Sequence, residues 1–251
     1  MIHQDHRGDL TLVRLEHGKA NALDLEFCGA IADTVTELDA RPATRAIVLT
    51  GTGSIFSAGV DLFRVVDGGA EYLRAFLPAL DHAFRSVFAC RKPVVGAVNG
   101  HAIAGGAIIT LCCDHRVMAE GKGRVGTPEL LVGVPYPPIV IEIMRFALPA
   151  RQLQRTAYMG ETLLPADALE RGLVDEVVAA DAVVERALEV ARAYAAVPTA
   201  SWELTKRQLR GPALDRAAAA SSLESKIEAT WSSPEVLQSI RDFLDRTVKR
   251  K

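Results

Sequence analysis

The stretch NGHAIAGGAII, residues 99–109, joins two different hydrophobic patterns through a pair of glycines. Upstream, PVVGAVN (93–99) is a nearly continuous apolar run that reads as a buried strand, with Pro93 able to stand only at its beginning. Downstream, residues 103–113 are apolar on nearly every side and read as a buried helix. Glycine inside a helix costs roughly 0.5–1 kcal/mol against alanine. Spending the first turn on Ala104, Gly105 and Gly106 therefore implies that something approaches this backbone closely. The helix then runs on through Ile108 and Ile109 with no acid or base.

Working outward, the same alternation recurs. LTLVRLE (10–16) reads as a half-buried strand and AIVLTG (46–51) as a strand ending in a turn. HRVMAE (115–120) and the residues around Val125 complete the strands of the first half. Helical periodicity covers Leu23 to Asp39 and residues 70–89. Strands that alternate with helices imply parallel pairing, since parallel neighbours need crossovers. Beyond residue 136 helical patterns dominate, at 138–147, 150–159, 165–171, 181–196, 200–209, 212–230 and 234–247, with VDEVV (174–178) as the one strand among them. The fold class is α/β. No low-complexity linker and no repeat of fixed period is evident.

The bulk composition excludes several functions. Lys and Arg total 29 against 31 Asp and Glu, a formal net charge of −2, which leaves no basic footprint for nucleic acid. No segment reaches the ~18 consecutive apolar residues of a membrane span, and the polar start MIHQDHRGD lacks the apolar core of a signal peptide. A cytoplasmic protein is expected. The basic end TVKRK reads as a solvated terminus or as a contact for an anionic ligand. Cys28, Cys90, Cys112 and Cys113 show no metal-site or disulfide spacing. Adjacent residues diverge in direction, so Cys112-Cys113-Asp114-His115 reads as core cysteines rather than a metal cluster.

Two glycine turns each follow a strand: GTGSIFSAGVDL (51–62) and NGHAIAGG (99–106). Neither has the Gly-Lys-Ser/Thr ending of a phosphate loop, the GxGxxG spacing of a dinucleotide fold, or a GxSxG nucleophile elbow. Backbone amides at strand ends and helix starts are good donors to an anion. Two such turns are either ordinary or aim one N–H each at a single oxygen, as an oxyanion hole requires.

FSAGVDL (56–62), KPVVGAVNGHAIAGG (92–106), GTPELLVGVP (126–135) and ALERGLVDEVV (168–178), preceded by HGKANALD (17–24), together resemble the enoyl-CoA hydratase/isomerase, or crotonase, superfamily. The resemblance spans most of the chain in family order. It implies a crotonase-like stack of ββα turns over 1–195. A helical C-terminal region at 196–251 would serve trimerisation and cover the active site, in a homotrimer or dimer of trimers. It implies a coenzyme A thioester as substrate, with no resident cofactor and no metal. The thioester oxygen would sit between the N–H groups of Val60 and Gly105. The flanking residues Lys19, Ala20 and Ala22, then Ser57, Ala58, Asp61 and Leu62, and Gly106, would line the ligand. The carbonyl near Ala58 would meet the adenine and Lys19 the phosphates, although HGKANAL is one residue shorter than the usual family form.

Hydratases of the family hold water between two glutamates. The second matches Glu129; the first would fall at position 108, which is Ile108. The backbone N–H that helps hold the water would come from Pro137, which has none. A single base suffices instead to move a proton from C2 to C4 of a Δ3-enoyl thioester through a dienolate. The resemblance thus implies an enoyl-CoA isomerase, with a hydratase (a lyase) or a non-catalytic thioester binder as alternatives. A structural assembly protein using the helical last third is the reading furthest from these motifs. Leu130, Leu131, Val132 and Val134 surround Glu129 in sequence, so its pKa should be raised. Read without the family, Glu129 is better taken as a helix-start acid behind Pro128. Tyr136, between two prolines, would line the acyl pocket. Asp61 either caps its turn or acts in catalysis. His101 is structural or reaches a ligand, and Asp114 bonds local backbone. His82 and His115 have no evident partner.

Overall fold

The computed structural model describes residues 2–247; most of the basic end TVKRK, from 248 on, lies outside them. Four times the chain runs strand, strand, helix. The first unit is β2 (Leu10–Leu15), β3 (Ala22–Leu23) and α1 (Leu25–Ala40), preceded by β1 (Ile2–Arg7). The second is β4 (Ala46–Thr50), β5 (Ile55–Ser57) with β6 (Gly59–Val60), and α2 (Leu62–Ala89). The third is β7 (Val94–Val98), β8 (His101–Ile103) and α3 (Gly105–Cys112). The fourth is β9 (His115–Ala119), β10 (Val125–Gly126), a 3-10 turn at Glu129–Val132 and α4 (Pro138–Ala147). Then follow α5 (Ala150–Met159), β11 (Thr162–Leu163), α6 (Pro165–Glu170), β12 (Glu176–Val178) and α7 (Val183–Ala195). The chain closes with α8 (Thr199–Ala219), α9 (Glu224–Trp231) and α10 (Pro234–Thr247). Among the described residues no helix is long and apolar enough to cross a membrane.

The first strands of the units form a six-stranded sheet ordered β1-β2-β4-β7-β9-β12, parallel except for β1. The second strands form a smaller sheet, β11-β10-β8-β5, while β3 pairs with β6 alone. Both faces of the large sheet are covered, which is why β4 and β7 read as nearly unbroken apolar runs, and β2, expected to be half-buried, is buried at every residue but Arg14. Leu10, Leu12, Ala46, Val48, Val95, Ala97, Val117 and Ala119 turn one way, onto α7. Val13, Leu15, Ile47, Leu49, Val94, Val98 and Met118 turn the other way, into the core shared with α1–α3.

Four elements differ from the sequence reading. β11 is a second strand beyond residue 136, where 174–178 alone was expected; at two residues it is too short to show a period. β1 is an edge strand exposed along most of its length, so it carries no apolar alternation to betray it. α2 begins at Leu62 and breaks at Gly69 (φ 53°, ψ −142°), so only its second segment showed a clean helical period. α8 runs straight through Gly211-Pro212, where two helices were expected. Pro212 removes one N–H from the ladder but does not end a helix that packs against α4. The division at 195/196 falls between α7 and α8, yet α8, α9 and α10 share the main core through Ala213, Trp231, Ile240 and Leu244.

Because the units stack in register, α1, α2 and α3 all end on one side of the molecule, and their carbonyl ends attract cations. Lys92 donates to Leu38 O at the end of α1. Arg210 donates through Nη1 to Phe88 O and Cys112 O, both at 2.7 Å, at the ends of α2 and α3. Lys206 bonds Lys92 O at 2.8 Å. Asp114 bridges Lys206 (2.6 Å) and Arg210 (2.7 Å) and also accepts from Val94 N–H. Its role is therefore wider than the local bonding expected. Lys206 and Arg210 are 7% and 4% exposed, so removing their counter-charge leaves buried cations unpaired. Asp114→Asn is expected to cost about 3–5 kcal/mol and to lower Tm by about 10 °C; thermal denaturation measures it.

Candidate active site

The two glycine turns meet. A side chain at Gly59 (φ 84°) would lie 2.6 Å from Ile103 O, 2.8 Å from the Ala104 methyl and 3.2 Å from Gly105 N. One at Gly106 would strike Ser57 O at 2.4 Å. One at Gly105 would meet Leu23 Cδ1 at 2.7 Å and Phe84 Cζ at 3.5 Å. Gly59 and Gly106 are thus required by close approach of backbone to backbone, and Gly105 by the side chains of Leu23 and Phe84, with α3 packed against β6.

This packing presents amides. Asp61 N–H donates to Leu23 O at 2.9 Å across the β3–β6 pair, and alternation along a strand turns the Val60 N–H away from β3. The first bond inside α3 is Ile108 N–H to Ala104 O, so Gly105, Gly106 and Ala107 have no acceptor within the helix. Ala104 takes φ 51° and ψ −126°, a conformation that costs an alanine about 1–3 kcal/mol. It keeps its own N–H on Gly126 O at 2.8 Å while the next residue leaves the ladder.

Gly126 O also locates the acid. β8 and β10 are parallel neighbours, with Ile103 opposite Gly126. Gly105 leaves one strand two residues on, and Glu129 leaves the other three residues on. Glu129 Oε2 is sealed from solvent and has no hydrogen-bond partner. Desolvation outweighs the help of its own backbone N–H and the Tyr136 hydroxyl, and pushes its carboxyl up to about 8. Leu130 and Leu131, expected to supply this apolar setting, are instead 40% and 62% exposed. Val132 and Val134 are buried. Trp231 Nε1 donates to Pro135 O at 3.0 Å, and Val236 of α10 packs near Gly133, so the C-terminal helices brace this loop.

The other residues fall into two groups. Exposed Lys19 and Ala58, with half-buried Ala20, Ala22, Val60, Asp61 and Leu62, gather where β3 meets β6. Ser57, by contrast, is wholly buried, its hydroxyl donating to Asn21 O and accepting from Gly59 N–H. Asp61 is the N-cap of α2, accepting from Phe63 and Arg64 N–H. The Tyr136 hydroxyl shares its one proton between Thr127 O at 2.8 Å and Ala157 O at 3.2 Å and also lies within hydrogen-bond reach of Glu129, so its polar end holds the loop beside the acid. Ile108 is wholly buried, and Pro137 precedes α4.

His101 accepts from Arg124 N–H, and His115 pairs with Glu176 and Tyr194. Burial pushes the thiols of Cys28, Cys90 and Cys113 up to about 12, which keeps them protonated and inert. Two organising residues escaped the sequence reading. Asn21 (φ 49°) ties Leu15 O to Phe56 O at 3.0 Å each, and Asn99 accepts from Gly51 N–H while donating to Gly53 O. An asparagine in a glycine-rich turn was the available signal.

Comparison with known proteins gives the family. The family model described as enoyl-CoA hydratase/isomerase matches residues 6–249. The chain belongs to that family of enzymes. It is 26% identical to the mouse mitochondrial enoyl-CoA delta isomerase 1, over 100% of this chain and 88% of that protein. It is 33% identical to a putative enoyl-CoA hydratase of Thermus thermophilus, over 82% of each. The crystal structure of human mitochondrial delta3-delta2-enoyl-CoA isomerase superposes with a TM-score of 0.92 over 98% of this chain and 97% of that one. At 23% identity this match speaks for the fold.

Two outcomes test the site's construction. Gly59→Ala and Gly106→Ala, which meet backbone, should lower Tm by more than Gly105→Ala, whose neighbour Leu23 Cδ1 can turn aside; overpacking costs about 1–3 kcal/mol. Glu129 has a folded pKa near 8 against an ordinary 4.5. Its contribution to stability is therefore full below the lower value and lost as pH rises through the upper one. Glu129→Gln should gain on the wild type by at least ~3 °C in Tm between pH 5 and 8.5, read by paired melting curves.

Proposed function

We propose that this enzyme shifts a Δ3 double bond to Δ2 in an enoyl-CoA thioester by proton transfer through Glu129. The observation that carries the reading is the Glu129 carboxylate, whose Oε2 is sealed from solvent and has no hydrogen-bond partner, opposite a helix start that bears the buried Ile108 where a water-holding acid would stand. The thioester oxygen accepts from the Val60 and Gly105 N–H groups, with Lys19, Ala20, Ala22, Ala58 and Leu62 lining the coenzyme. As Glu129 takes the C2 proton, charge grows on that oxygen. Two amides fixed in place stabilise the dienolate more than the ground state. The same carboxyl returns the proton at C4, so one group serves as base and then acid.

Water addition lacks its supports. Ile108 offers no carboxylate and Pro137 no N–H, so nothing on that side orients a nucleophile. The mouse protein named as an isomerase supports the same choice, while the Thermus protein named as a hydratase keeps water addition as the competing reading.

The purified enzyme is given 3-enoyl-CoA and 2-enoyl-CoA while conjugated enoyl absorbance is followed. Absorbance should appear from the first substrate and persist with the second; rapid loss from the second would mean hydration. Because the base must be ionised, kcat/KM should rise with pH through about 8 and level off above it. Glu129→Gln should lower kcat by about 10²–10⁴-fold and leave binding of a saturated acyl-CoA within about threefold. Undiminished turnover in that variant would remove Glu129 from the mechanism.

A further inference from the structure

The turn between β2 and β3 carries Lys19 and Ala20, and its two ends are fastened differently. At the far end Asn21 is locked into the second unit: its side-chain amide meets Leu15 O and Phe56 O, and its carbonyl accepts from Ser57 Oγ. Ala58 N–H adds a bond to Ala20 O at 2.9 Å. At the tip, a side chain on Gly18 (φ 58°) would meet nothing within 4 Å, and Lys19 is exposed, so packing does not hold the turn there. At the near end the chain closes on itself, with Asn21 N–H on His17 O at 3.0 Å and His17 N–H on Asn21 Oδ1 at 2.7 Å.

The His17 side chain ties that near end to α1. Its Nε2 stands 2.7 Å from Asp24 Oδ2, and its ring stacks on Phe27 with centroids 4.7 Å apart. Asp24 is also the N-cap of α1, its Oδ1 accepting from Phe27 N–H at 2.8 Å. A carboxylate offers Oδ2 only as an acceptor, so Nε2 is the donor and the bond is charge-assisted. The two side chains are 23% and 9% exposed, so water replaces the bond poorly. Arg64 of α2 lies 3.7 Å from the same Oδ2 and bonds Glu26, which draws the start of α2 to this point.

We propose that His17 is a positioning residue: its bond to Asp24 holds the Lys19 turn in place for the phosphates of the coenzyme, and so serves the charged half of the substrate rather than the acyl half. The inference rests on the reading that lays the coenzyme along Lys19, Ala20 and Ala22. A lysine on a turn that must be ordered at the moment of binding gives back part of its attraction for an anion as lost entropy. A turn fastened beforehand at both ends, by Asn21 and by His17, avoids that loss.

The test reads binding by calorimetry, so that it does not depend on turnover. Hexanoyl-CoA is compared with hexanoyl-pantetheine, a thioester that lacks the adenosine phosphates. Two variants separate the bond from the packing: His17→Phe keeps a ring against Phe27 but removes the donor, and His17→Gln removes the ring but keeps an N–H for Asp24. His17→Phe should weaken hexanoyl-CoA about tenfold and leave hexanoyl-pantetheine within about twofold. His17→Gln should stay within about threefold of the wild type for both ligands. Lys19→Ala should weaken hexanoyl-CoA about tenfold in the wild type but less than about twofold beside His17→Phe, because both act through one turn. Unchanged hexanoyl-CoA binding in His17→Phe, equal weakening of both ligands, no recovery in His17→Gln, or additive effects with Lys19→Ala would each overturn the proposal. Equal affinity of the wild type for the two ligands would overturn it as well. Failure of 3-enoyl-CoA turnover with this binding pattern intact would instead count against the isomerase reading alone.

Discussion

The contact between Gly59 and the Ile103–Gly105 turn is the constraint on which the site depends. No side chain fits there: a Cβ at position 59 would sit 2.6 Å from a carbonyl oxygen. Two strands from successive ββα units can therefore end against each other, and the amides that follow are left unspent. The surrounding bonds hold that contact in place. Asn21 ties the first unit to the second, Ser57 ties Asn21 O to Gly59 N–H, and Asn99 ties the second to the third. Ala104 carries the remaining strain, and its bond to Gly126 O couples the donor turn to the strand that delivers Glu129. Donor and base are thereby positioned by neighbouring strands of one ladder, which is more rigid than two independent loops.

At the far end of the same units the repeat creates an electrostatic problem. Three helices ending together concentrate unsatisfied carbonyls, and the C-terminal helices answer it. Arg210 of α8 closes α2 and α3 at once while lying over the Phe88 and Phe146 rings, and Asp114 balances it together with Lys206. The helical last third is thus bonded into the core at one end and braces the Glu129 loop at the other through Trp231. That dual attachment explains why no boundary in packing appears near residue 195.

Much of this was legible in sequence because it is local. Strands buried on both faces give continuous apolar runs, and the glycine-rich motifs each occupy one turn. Ile108 and Pro137 needed only to be read at their positions. What escaped reading was long-range or exposed. β1 shows no pattern because it lies on an edge, and the partners of Asp114 lie 92 and 96 residues away. Ser57 and Tyr136 sit inside ligand-like motifs, but their hydroxyls are spent on backbone. The apolar setting of Glu129 was expected from its sequence neighbours, yet Leu130 and Leu131 face outward. Its perturbed pKa comes from how the turn is packed, which no neighbouring residue reveals.

The central claim is that one buried carboxyl both removes and returns the proton. It is tested most directly with 3-enoyl-CoA carrying deuterium at C2, followed by mass spectrometry of the conjugated product. A carboxyl shielded from water should carry a measurable share of the label to C4. Complete loss of deuterium to solvent together with a hydroxyacyl product would contradict the account.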